Sequence, residues 1–346
     1  MKVALITDTH FGARNDNRVI QKHINNFFDE IFFPFLKEND IREIVHLGDL
    51  MDKRKSVSYL TLKHVRENFV QQITDNAILT HIIVGNHDAY YKNTNQVNSI
   101  NELYGETPYL HLYDTAKTIK IGSGLKVCLI PWLCAENEVD SYIHIDRTDA
   151  KIAMGHLELT GFLMFKGSIA TNGMDKDIFQ KFDTVFSGHF HLKNDDGHVY
   201  YLGTPYEMMW SDYNTERGFH ILDTETLELQ FIRNPNTLFT KIYYDETKPL
   251  EDLSVYTDKF VRVVVPEKPS DPYRFNLYID RLYEVNPAQL TVVENFEEFQ
   301  EEQQIEGTED TITILSNYIK GYKTNLNVGK LENMVRNLYT EALSIE

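Results

Sequence analysis

Apolar residues recur along this chain in two rhythms, and the alternation between them marks its organisation. Residues 3–7, 41–47 and 81–84 are short apolar runs rich in β-branched side chains, each ending in a polar turn, and they read as buried strands. Between the first two, Ile20, Ile24, Phe27, Ile31 and Phe35 fall every three or four residues. Leu62, Val65, Phe69 and Ile73 do the same between the second and the third. Both stretches predict helices with one apolar face, and Pro34 should kink or end the first of them. The chain therefore begins β-α-β-α-β.

After a helical or loop region at 99–104, strands are expected at 126–130, 151–154 and 184–187. Residues 199–202, 218–222 and 227–232 follow as closely spaced strands, with Asp223-Thr224-Glu225-Thr226 as the turn between the last two. A switch from helix-separated to hairpin-like spacing predicts an α/β core, a mixed sheet or two-sheet β sandwich flanked by helices. That core ends near Asn234-Pro235-Asn236, so residues 1–235 form one expected domain. A strand at 260–265, a helix at 275–284 and a strand at 289–293 make a small α+β unit over 236–293. Residues 294–310 hold eight acids and no Lys or Arg and read as a solvated linker; two helical stretches, 312–322 and 328–343, close the chain within 311–346.

Composition narrows the picture in three ways. With 346 residues and 42% apolar content the chain has enough to build one large domain and a smaller one. Its apolar runs are far shorter than the 18 or so residues of a membrane span, and its first residues turn polar too early for a signal-peptide core, so a cytoplasmic location is expected. Cys128 and Cys134, with no CxxC pair, suggest two inert thiols in a reducing compartment. A formal charge of −18 argues against a free-standing, sequence-independent DNA binder, because such binding neutralises phosphates with Lys and Arg. It leaves room for an enzyme whose metal ions or partner subunit supply the positive charge.

Chemistry gathers at the strand tips. They read Asp8-x-His10, Gly48-Asp49-x-x-Asp52, Gly85-Asn86-His87-Asp88, Gly155-His156 and Gly188-His189-x-His191. Any one of these alone is more often ordinary surface polarity. Together, four histidines, two aspartates and an asparagine at one sheet edge would be costly to bury without metal. Imidazole and carboxylate without thiolate suit Mn²⁺, Fe²⁺ or Zn²⁺ better than Ca²⁺, and seven ligands exceed what one tetrahedral site uses. The count points to two ions sharing a carboxylate, the usual device for phosphate-ester hydrolysis.

This set of blocks resembles the calcineurin-like metallophosphoesterase superfamily over roughly residues 1–235. The resemblance implies one ion at Asp8, His10 and His191, another at Asn86, His156 and His189, and Asp49 as the bridge. It also implies that His87 donates a proton to the leaving oxygen and that Asp52 orients it. The block spacing, Gly203-Thr204-Pro205-Tyr206 and the small second unit resemble the SbcD-type DNA-repair nuclease subunits, and Ile130-Pro131-Trp132, Tyr91-Lys92-Asn93, Phe165-Lys166-Gly167 and Trp210 resemble their compact phage versions. That likeness implies a Mn²⁺-dependent nuclease acting on DNA as a homodimer, with a separate SMC-like ATPase docked at the C-terminal helices. The rival readings are a phosphatase or phosphodiesterase on small molecules or proteins, and a structural subunit with a vestigial site. Tyr90, Tyr91 and Lys92 could contact a DNA backbone or pack a loop; the 206–213 stretch could stack on bases or wall the cleft, and simple packing is the expected reading. The eight histidines outside the blocks (His23, His46, His64, His81, His111, His144, His198 and His220) are expected at ordinary core or surface positions.

Overall fold

The structure is a computed structural model, and it describes residues 1–248 and 252–293. The expected acidic linker and paired terminal helices, and with them the expected ATPase-docking element, lie outside the described residues.

Two six-stranded sheets share one apolar layer. The first runs in the order Leu229–Arg233, Gly218–Asp223, Lys2–Ile6, Glu43–His46, Leu79–Ile83, Leu110–Tyr113, its last four strands parallel. The second runs Asn194–Asp195, Val199–Tyr201, Thr184–Gly188, Ile152–His156, Leu125–Ile130, Lys117–Ile121, with the four central strands parallel and both edges antiparallel. Val3 and Leu5 of the first sheet meet Val127, Leu129, Met154 and Phe186 of the second in the middle layer. Their neighbours Ala4 and Ile6 join the helices outside the first sheet, while Cys128 and Ile130 join the outer layer of the second. Each central strand is therefore buried on both faces, which is why the sequence shows continuous apolar runs there.

The first helical region departs from expectation. It runs from Arg18 to Glu38 in three segments, α over Arg18–Asn26, π over Phe27–Phe32 and α again over Phe33–Glu38. Pro34 neither ends nor interrupts it. The hydrogen-bond register widens just before the proline, and Pro34 falls at the start of the last segment, where a missing N–H is tolerated. The helical region from Tyr59 to Asp75 turns Val65, Phe69 and Ile73, all fully buried, onto its own sheet.

The second unit comprises strands Phe239–Tyr243, Phe260–Val264 and Gln289–Val293, all parallel, with helix Pro272–Glu284 crossing over between the last two. It is thus of parallel α/β type, not the α+β arrangement that counting two strands and a helix suggested. The strand Phe239–Tyr243 went unread because Lys241 and Thr240 break its apolar run. Its own small core is Val261, Val263 and Leu282, all 0% exposed. Leu238 and Phe239 join the main core, the Phe239 ring 5.0 Å from that of Trp210, and the Arg262 guanidinium lies 4.1 Å over the Trp210 ring. The 206–213 stretch thus packs: Tyr206 is fully buried and Met208 nearly so.

Candidate metal centre at the seam of the two sheets

Parallel strands end together, so the five polar tips meet at one edge of the sandwich. Asp8 and His10 follow Lys2–Ile6, Asp49 follows Glu43–His46, and Asn86 and His87 follow Leu79–Ile83. From the second sheet, His156 ends its strand, and His189 and His191 follow Thr184–Gly188. Close approach of the tips demands glycine at two points. A Cβ on Gly48 would lie 2.8 Å from the Gly85 Cα, and one on Gly85 would collide with the amide and carboxylate of Asp49. Asp8, His10, Asp49 and His189 all adopt left-handed backbone (φ 50°, 41°, 56° and 87°), a strain that clusters at functional sites. Hydrogen bonds hold it in place: Asp8 N–H to the Gly48 carbonyl (3.0 Å), His10 N–H to the Asp49 carbonyl (3.1 Å) and His189 N–H to Asp8 Oδ2 (3.0 Å).

All nine residues expected from the sequence lie in this cluster. His10 Nε2 faces His191 Nε2 at 3.1 Å and Asp8 Oδ1 at 3.8 Å. The Asn86 side-chain oxygen sits 2.9 Å from His156 Nε2 and 2.9 Å from His189 Nδ1. Asp49 Oδ2 stands between these groups, 3.7 Å from His10 Nε2 and 3.3 Å from His156 Nε2. The candidate ligand atoms of Asp8, His10 and His191 lie within 4.8 Å of one another, as do those of Asp8, Asp49 and His156. Two buried carboxylates amid imidazole nitrogens and an amide oxygen form a donor set that fits divalent cations of the Mn²⁺, Fe²⁺ or Zn²⁺ type.

Charge within the cluster is divided unevenly. Burial opposes ionisation of Asp49, but His156, with His87 and His10 beyond it, outweighs burial and holds its carboxyl well below the usual range. Burial alone would discharge His10 and His156. Asp52, Asp49 and Asp8 around the one, and Asp49 and Asp8 around the other, raise both to about 9. His189 is pushed the other way by burial and by His156, to about 3, and burial with the neighbouring His10 holds His191 well below its ordinary value.

His87 and Asp52 meet differently from the expected pairing. The His87 Nδ1 donates to the Asp52 main-chain carbonyl (2.5 Å), while the Asp52 carboxylate faces His10 Nδ1 at 3.5 Å. His87 is further tied by its N–H to Asp49 Oδ1 (2.7 Å) and packs edge-on to the His10 ring at 4.8 Å. A carboxylate behind a ligating imidazole is the usual way its ring is oriented.

Three residues with parts here were not singled out from sequence. Asp88, fully buried, accepts from the backbone N–H groups of Gly85 (2.9 Å), Asp49 (2.8 Å), Leu50 (3.0 Å) and Met51 (3.3 Å), and so ties two tips together. It stood in the Asn-His-Asp block, but residue type alone does not separate a ligand from a backbone clamp. Trp132, noted only for likeness, walls the site with its ring 5.1 Å from that of His189. Arg54 is half-buried, burial lowering its pKa against the opposing pull of the Asp49 charge, and its Nη1 is buried without a hydrogen-bond partner. The eight histidines outside the blocks take no part in the cluster.

The family model described as calcineurin-like phosphoesterase matches residues 1–193. The chain is 32% identical over 345 residues to "Exonuclease subunit 1" of Enterobacteria phage T4, covering 99% of both chains. Among solved structures it is similar to an archaeal phosphodiesterase (TM-score 0.33, 16% identity, 68% of this chain and 100% of the other). It is also similar to purple acid phosphatase PPD1 of yellow lupin (TM-score 0.37, 14% identity, 67% of this chain and 52% of the other). With its family model matched over more than half its length, the chain belongs to the calcineurin-like phosphoesterase family.

Proposed function

We propose that this chain is a two-metal nuclease subunit that hydrolyses DNA phosphodiester bonds, with Mn²⁺ as its ions. The observation that carries the reading is the placement of Asp49, one carboxylate between two groups of ligands, with the His87 main-chain N–H donating to its other oxygen. Asp8, His10 and His191 would hold one ion, Asn86, His156 and His189 the other, and Asp49 both. Ions held there supply a nucleophile from water at neutral pH and neutralise charge on the phosphoryl oxygens.

The remaining steps belong to side chains. A carbonyl only accepts, so the His87 Nδ1 carries a proton toward Asp52, and Nε2 is the atom left to protonate the leaving oxygen. The Asp52 carboxylate holds the His10 ring in its ligating orientation. Arg54, with a buried donor unspent beside Asp49, is placed to bind a phosphoryl oxygen. Full-length likeness to a phage exonuclease subunit supports DNA as substrate and a partner subunit. In this reading the partner is an SMC-like ATPase docking on residues 311–346 beyond the 294–310 linker, the 236–293 unit caps the DNA, two copies act as a homodimer, and the chain works in the host cytoplasm.

Incubating the chain with linear duplex DNA and Mn²⁺, beside a phosphomonoester of small size, tests the substrate class. DNA cleavage that chelation stops is expected. Turnover of the small ester with intact DNA would replace this reading by that of a phosphatase.

A further inference from the structure

One buried charge network outside the ligand set connects the metal centre to the second unit. Arg217 is 4% exposed, and its guanidinium spends its donors on four acceptors. Nη1 donates to the His191 carbonyl and to Thr204 Oγ1, Nη2 to Asp212 Oδ1 (2.8 Å) and Nε to Thr215 Oγ1 (2.9 Å). Asp212, 2% exposed, uses its other oxygen to accept from the N–H groups of Met208 (2.8 Å) and Met209 (3.0 Å). Glu207, next to Met208 in the chain, accepts from the N–H groups of Leu238 (2.6 Å) and Phe239 (2.9 Å), where the first strand of the second unit begins. Main-chain bonds brace the same path: Thr204 N–H to the His191 carbonyl (3.0 Å) and Asn234 N–H to the Arg217 carbonyl (2.7 Å).

A buried Arg–Asp pair is a weak device for stability, because desolvation consumes most of the attraction, and an apolar pair of similar volume often serves as well. What a guanidinium does here that an apolar side chain cannot is fix the carbonyl of His191. That peptide sets where the imidazole lies, and its Nε2 stands 3.1 Å from that of His10. We propose that Arg217 is a positioning residue for the ion at His191, and that the path Arg217–Asp212–Glu207 couples that ion to the strand opening the second unit. The inference rests on the two-ion reading above. Coupling of this kind is reciprocal: an ion that tightens His191 must tighten Leu238 and Phe239, and loosening that strand must weaken the ion.

Two measurements on the full chain test it. The first is Mn²⁺ stoichiometry and affinity by calorimetry, for wild type and Arg217→Met. Wild type should bind two ions; Arg217→Met should hold one as before and bind the other about 10–100-fold more weakly, the usual effect of removing a group that orients a ligand. The second is amide hydrogen exchange with and without Mn²⁺. In wild type the ion should slow exchange at Leu238 and Phe239, and in Arg217→Met that protection should vanish. A folded Arg217→Met that binds both ions with unchanged affinity overturns the positioning role alone, whereas a wild type that binds no Mn²⁺ overturns the two-ion reading and this inference with it. Should Arg217→Met fail to fold, the wild-type exchange data decide, since two bound ions with unaltered exchange at Leu238 and Phe239 contradict the coupling.

Discussion

The two sheets carry matching cores of four parallel strands, yet they bring different chemistry to the seam. The first delivers every carboxylate of the site, Asp8, Asp49, Asp52 and the clamp Asp88, together with His10, Asn86 and His87. The second delivers imidazoles alone, His156, His189 and His191, with Trp132 as a wall. The first sheet offsets part of its own charge through His10, which stands among Asp8, Asp49 and Asp52, and the second adds His156 against Asp49. The contacts that matter cross the middle layer, His156 to Asp49 and Asn86, His191 to His10 and His189 to Asp8. The lesson is that burial of the middle layer and assembly of the centre are one event.

The sharpest way to break this division is at Asp49, the carboxylate facing both groups. Asp49→Ala should lose both ions by metal analysis and reduce cleavage to background. A variant that keeps two ions would mean that the sheets are bridged some other way. Next in size is His87, which lies on the first sheet but stands outside both groups of proposed ligands. His87→Ala should retain both ions and lose about 10²–10⁴ in rate, the range expected for one general acid. Loss of metal in that variant would turn His87 into a ligand.

Asp88 sharpens the comparison from the side of stability. Its carboxylate satisfies four backbone N–H groups in the first sheet's loops, and burying such donors unpaired costs about 1–3 kcal/mol each. Asp88→Ala should therefore cost about 3 kcal/mol or more in urea denaturation and disorder the first sheet's tips before the second's by hydrogen exchange.

The smallest change expected from a single substitution is in the pH dependence of stability, set in part by three histidines in the first sheet's layer. Burial lowers His23 to about 4, and His46 and His220 to about 3. Unfolded imidazoles take up protons below about 6.5, whereas these three do not until far lower. The stability they preserve is whole above pH 6.5 and is lost as pH falls from there toward 4, at about 1.4 kcal/mol per pH unit for each. Denaturation midpoints between pH 7 and pH 4.5 check this, and His23→Phe should flatten the slope by about one proton.

Much of this was readable from residue order. The polar tips, the strands behind them and the helices between announce themselves because strands buried on both faces need unbroken apolar runs. Less legible were elements whose pattern is mixed. The strands Leu110–Tyr113 and Lys117–Ile121 lie at sheet edges, half exposed, and carry polar residues. Helix Glu138–Arg147 buries only Ser141 and Ile145, too few for a periodic signal. Pro34 does not end its helix because it follows the π turn and falls at the start of the last segment, where a missing N–H is tolerated. In the site, residue types and order located the nine side chains, but not that Asp52 would present its carbonyl to His87 and its carboxylate to His10, since both atoms belong to one residue. The role of Asp88 was hidden for a similar reason: its partners are backbone atoms, which leave no mark in a sequence, and the bond by which Arg217 reaches the site likewise ends on a main-chain carbonyl.

The central claim, a two-ion centre across the seam that cleaves DNA, is tested most directly by titrating chelator-stripped chain with Mn²⁺ while following cleavage of a linear DNA duplex. The account predicts no cleavage without metal and activity that develops fully only with the second equivalent per chain. Cleavage without metal, or full activity at one equivalent, would contradict it.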